Sequence, residues 1–246
     1  MLVTLSSSKG DFIENIARTL RGKRIPNTGI MQAVLSLIKK DILIEWRQKH
    51  TFFSVLLYES CTVFVIYMMA AQPETMVWNA LFWIAQLFVT VNTVAKSFLQ
   101  ETSGRNRYYY TLVGPKKYLI AKMIYSVILM LVISFINLGL FNLLLGYKLL
   151  KPGLFIMVVC LGAACLSLLF TFLSAIAAQA KQNAAMMAVM GFPIAIVILM
   201  MLSRLANAAL SSVVQEGIGM LLAVMLTMCG LIIGIAMVLF PFLWKE

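Results

Sequence analysis

Six apolar stretches, each about twenty residues or longer, fill residues 52–244 of this 246-residue chain. A helix needs roughly 20 apolar residues to cross a hydrocarbon core about 30 Å thick. Hydrocarbon offers a bare peptide group no hydrogen-bond partner, so such a stretch must bond within itself as a helix. The spans are expected at 52–71, 78–98, 119–145, 154–178, 184–202 and 218–244. The fold class that follows is an all-α polytopic membrane protein of six transmembrane helices. With 12% charged residues, the chain carries about half the share of an ordinary soluble domain. No polar stretch beyond residue 51 is long enough to form a soluble domain of its own.

The basic residues crowd into alternate gaps. The net charge of +11 would point to nucleic acid in a soluble protein. Here nine Lys or Arg lie in residues 1–51, six more around the second gap (Lys96, Arg105, Arg107, Lys116, Lys117, Lys122), and Lys181 and Lys245 follow on the same side. Only Lys148, Lys151 and Arg204 fall on the other side. A division of 17 against 3 sets orientation by the positive-inside rule. Both termini are expected in the cytoplasm, and the membrane is most simply a bacterial inner membrane. No nucleic-acid partner is expected.

Residues 1–30 have no apolar core of the signal-peptide kind, and Arg18, Arg21, Lys23 and Arg24 lie among polar neighbours. They are expected to form a mobile cytoplasmic tail, with the functional chain starting at Met31. Residues 31–51 are amphipathic. Met31, Val34, Leu35, Ile38, Ile42 and Trp46 share one helical face, and Gln32, Ser36, Lys39, Lys40 and Arg47 take another. A helix lying in the headgroup layer is expected, with a soluble-type amphipathic core helix as the alternative. The gaps 72–77 and 146–153 carry Pro or Gly turn signals. The gap 203–217 reads either as a short re-entrant or interfacial helix or as a surface loop.

The largest inner gap, 99–118, reads LQETSGRNRYYYTLVGPKKY. Turn signals at Ser103–Gly104 and Gly114–Pro115 bracket a segment long enough for a short helix across the membrane face. Its Arg105, Arg107, Tyr108, Tyr109, Tyr110, Lys116 and Lys117 suit docking to a protein surface. Anchoring in lipid headgroups is the competing role.

Little catalytic chemistry is on board. There is no GxxxxGK[ST] phosphate-binding loop, no HExxH and no GxSxG. The single histidine, His50, rules out a multi-histidine metal site and is expected to contact headgroups. Cys61, Cys160, Cys165 and Cys229 lie in apolar spans. The one close pair, Cys160 and Cys165, is five residues apart and does not share a helix face. Glu59 is the one acid well inside a span, about 12 Å from the inner boundary. Such a carboxyl needs a partner, and Asn92 or Lys96 on the antiparallel second span is the expected one. Gating or protonation is the alternative role. On the second span Asn79, Gln86, Thr90, Thr93 and Ser97 share one face, which should look into the bundle or across a subunit interface. Gly191 and Ala195, flanking Pro193, and Gly230 and Gly234 mark expected close helix packing.

Three stretches together resemble the cytochrome c maturation haem-exporter permease family of the CcmB type. They are KKDILIEWRQK at 39–49, VWNALFWIAQLFVTVNTVAKSFLQE at 77–101 and YYYTLVGPKKYLIAKMIY at 108–125. Lys40, Asp41, Glu45, Trp46 and Arg47 carry the first. The likeness continues less specifically to residue 244, while residues 1–30 and Glu59 stand outside it. The resemblance implies a type-two ABC exporter permease that dimerises and binds a separate ATPase subunit. It implies haem as cargo, or ATP-driven release of a haem-loaded chaperone, together with a haem-handling membrane protein. ATP would sit on the partner, with no catalytic residue and no cofactor on this chain. The 99–118 loop lies where such permeases meet the ATPase. Two other readings stay open from the residues: an ABC permease for a lipid or polysaccharide, and a proton-coupled secondary transporter using Glu59.

Overall fold

The computed structural model describes residues 49–70, 72–99, 115–146, 150–179, 184–211 and 217–243, with single helical positions at Leu35, Ile38 and Ile42. Six helices run through them: α1 (Lys49–Met69), α2 (Thr75–Leu99), α3 (Pro115–Leu145), α4 (Pro152–Gln179), α5 (Ala184–Leu210) and α6 (Ile218–Leu243). Each contains a window long and apolar enough to cross a membrane. Pro115 and Pro152 open α3 and α4, where a missing N–H costs nothing. Gly146, at φ 83°, terminates α3 in the left-handed conformation that a side chain would resist.

The fifth helix differs from the expected span. It continues past residue 202 to Leu210, so residues 203–210 form neither a loop nor a separate re-entrant helix. The reason is packing. Leu205, Ala206, Ala209 and Leu210 are buried, so the apolar face continues for two more turns. The Lys151 backbone N–H then donates to the Ala209 carbonyl at 3.0 Å, joining the last turn of α5 to the start of α4.

Of the segment 31–51, Leu35, Ile38 and Ile42 are helical, Leu35 and Ile42 being exposed. The rest of that segment before Lys49 lies outside the described residues. So do residues 1–30 and the loop positions Arg105, Arg107, Tyr108, Tyr109 and Tyr110.

Helix α4 is the centre of the bundle and packs on α2, α3, α5 and α6, whereas α1 rests on α2 and α3. In the spanning windows of α2 and α4, 61% of residues are buried, against 17% in α1 and α6. The outer helices therefore present most of their surface to whatever surrounds the chain. Near one end of the bundle an aromatic cluster fills the interior. Trp78 stacks on Phe82 at 5.7 Å between ring centroids, and both meet Phe141 edge to face. Phe155 closes the group from α4.

Small residues set how closely the helices approach. A Cβ on Gly191 would lie 2.5 Å from the Phe170 ring and 2.9 Å from Leu173, so the α4–α5 contact depends on that glycine. Gly162 serves the same purpose on α4, where a Cβ would lie 2.6 Å from the Trp83 ring. The Gly230 and Gly234 pair does not pack within the chain as expected. Both are exposed, and a Cβ on either would meet nothing within 4 Å. These positions give a paired test. Gly191→Leu should lower unfolding stability by about 1–3 kcal/mol through overpacking, whereas Gly234→Leu should change it little. Unfolding midpoints in detergent measure both, and equal losses would contradict this packing.

Candidate functional site

The polar face of α2 runs through the middle of the bundle. Asn79, Gln86, Thr90 and Thr93 are all buried within one chain, which resolves the choice between bundle interior and subunit interface. The Ser97 side chain lies outside the described residues.

Gln86 is fully engaged. Its Nε2 donates to Ser134 Oγ, and its Oε1 accepts from Asn137 Nδ2 at 3.0 Å. The hydroxyl of Ser134 in turn donates to the Met130 carbonyl at 2.7 Å. Thr90, one turn along, donates its hydroxyl to the Gln86 carbonyl at 2.7 Å and so places no further demand on a neighbouring helix. Two turns before Gln86, Asn79 Nδ2 lies 2.9 Å from the Ser203 carbonyl and 2.8 Å from Asn207 Oδ1, donating to α5. One face of α2 is therefore bonded to α3 through Gln86 and to α5 through Asn79.

The partners were not singled out from sequence. Ser134 and Asn137 lie three apart on α3, and Ser203 and Asn207 four apart on α5. Each pair shares a helix face within an apolar run, and that spacing was the available signal.

Glu59 on α1 is fully buried, and neither carboxyl oxygen has a hydrogen-bond partner among the described residues. The expected bond to Asn92 is not formed. Asn92 is only half-buried and lies about 200° around α2 from Thr90. The side chain of Lys96, the other expected partner, lies outside the described residues. Thr93 Oγ1 is also buried and unpartnered. A second ionisable group is buried on α3, where Lys122 has its Nζ 5.7 Å from the centre of the Tyr125 ring.

Lys116 and Lys117 belong to the first turn of α3, their side chains being undescribed. His50 is helical at the start of α1. All four cysteines are free thiols. Among the described residues no group of three His, Cys, Asp or Glu could hold a metal ion. What the interior offers is a set of amide and hydroxyl bonds between helices, with one acid left over.

A family model described as CcmB protein matches residues 32–243. The chain belongs to the CcmB family. This is the haem-exporter permease family, and membership makes the chain a multipass membrane subunit of an ABC transport system in cytochrome c biogenesis rather than an enzyme. The match begins within one residue of Met31 and leaves out the polar tail. No curated protein and no solved structure matches the chain.

The Gln86 network generates a double-mutant test. Gln86→Leu leaves Ser134 and Asn137 facing an apolar group and should cost about 1–2 kcal/mol. Adding Asn137→Leu should recover part of that loss, because the orphaned amide is gone. Additive losses in unfolding free energy would show that the two amides are not coupled.

Proposed function

We propose that the chain is the permease half of an ATP-driven machine that exports haem, or releases a haem-loaded chaperone, for attachment to c-type cytochromes. The family match over residues 32–243 carries this reading. ATP hydrolysis is assigned to a separate chain, because this sequence has no phosphate-binding loop to hold the nucleotide. The ATPase is proposed to dock from the cytoplasm on the basic stretch 105–117, through Arg105, Arg107, Tyr108, Tyr109 and Tyr110 together with Lys116 and Lys117 at the start of α3. The amphipathic segment with Lys40, Asp41, Glu45, Trp46 and Arg47 is proposed to lie against the same membrane face. Both termini are cytoplasmic in this arrangement, which the excess of inner Lys and Arg supports. The permease is proposed to have the type-two ABC exporter fold and to work as a homodimer, with a haem-handling membrane protein and a haem chaperone as further partners.

Reversing Arg105 and Arg107 to Glu should abolish permease-stimulated ATP hydrolysis and leave the unfolding midpoint unchanged, since both fall in the polar gap of the sequence between the second and third apolar stretches. Unchanged hydrolysis in proteoliposomes would count against the docking loop. Release of haem-loaded chaperone in the same vesicles separates this reading from an ABC permease for lipid or polysaccharide.

Glu59 favours one second reading. A buried carboxyl with no hydrogen-bond partner among the described residues is a place where a proton can be held, as a proton-coupled secondary transporter requires. In that case Glu59→Gln would abolish transport with no ATPase present. The expected result is that ATP-driven activity survives this substitution, as measured by chaperone release.

A further inference from the structure

An open groove of about 360 Å³ runs between α2 and α5. Ala80, Trp83 and Ile84 line it from α2, and Ile196, Leu199, Met200, Ser203 and Arg204 from α5. From Ile196 to Arg204 it extends about 12 Å, less than the half-thickness of a hydrocarbon core about 30 Å across. Since α5 runs from Ala184 to Leu210, Ile196 lies near its middle and Arg204 toward one end, which puts the groove in one half of the helix. Its chemistry is graded along that length. Ile196, Leu199 and Met200 are apolar, and Ser203 and Arg204 come last, close to the end of α5 at Leu210. Arg204 is exposed and about 9 Å short of that end, within reach of the headgroup layer for a long basic side chain.

The walls are fixed in place. Trp83 forms the floor and is seated on Gly162. At the rim, Asn79 holds Ser203 and Asn207, so α2 and α5 cannot part there without breaking those bonds. A cation at the membrane surface above a preformed apolar trough is complementary to an amphiphile with an anionic head and a long apolar tail. We propose that this groove holds an anionic phospholipid, its phosphate on Arg204 and one acyl chain laid along Ile84, Ile196 and Met200. The bound lipid covers the apolar side of the α2–α5 seam. The assignment does not depend on what the permease transports.

The test uses the full chain in mild detergent, titrated separately with phosphatidylglycerol and phosphatidylcholine, with bound lipid counted by native mass spectrometry. One phosphatidylglycerol should be retained in preference to phosphatidylcholine. Arg204→Gln should weaken that retention about fivefold, the value of one basic residue at an anionic surface. Ala80→Trp, which fills the groove from an exposed position, should also reduce it. Lys151→Gln, a basic position outside the groove lining, should not. Equal retention of the two lipids, or retention unchanged in both the Arg204 and Ala80 variants, would overturn the proposal. So would isolation of a non-phosphate amphiphile from the groove of the native protein.

Discussion

Inside hydrocarbon a polar side chain has only other protein groups to bond, and the rest of this bundle follows from that limit. Gln86 is the clearest instance. Both ends of its amide are used, by Ser134 and Asn137 of α3, and Asn79 takes its acceptors from α5. A helix with these two residues on one face cannot turn that face to lipid. It has to be an inner helix, with α3 and α5 beside it at matched depth. Helix α4 fills the remaining inner position. Its buried hydroxyls at Ser167 and Ser174 donate to carbonyls of their own helix. Close approach at Gly162 and Gly191 holds it instead. Directional bonds thus set register, and small residues set distance.

The number of helices and the inward face of α2 were legible in the sequence, because hydropathy and helical spacing report them directly. The end of α5 was not. Arg204 and Asn207 break the apolar run, yet they lie on the sides of a helix whose other face stays buried to Leu210. Composition along the chain cannot separate that from a loop. Partner identity was also beyond reach. Asn92 matched Glu59 in depth but not in rotation around α2, and a depth argument carries no rotational information. Gly230 and Gly234 show the same gap from the other side. The GxxxG spacing permits close approach, but within this chain no helix uses it.

Among the described residues, Glu59 and Lys122 are the buried side chains of the charged types. Family membership supplies the context in which such a bundle is useful, as a membrane-embedded part of an ABC transport system. On the proposed docking, the basic residues of the inner gaps would serve assembly as well as orientation. The groove between α2 and α5 adds a lipid-facing surface with a graded character of its own.

The most direct test of that dependence on another chain is purification of the protein from its native membrane, with identification of whatever co-elutes. A nucleotide-binding ATPase together with a haem-handling membrane protein is the expected result. A preparation that contains no ATPase and still carries out proton-driven transport after reconstitution would contradict it.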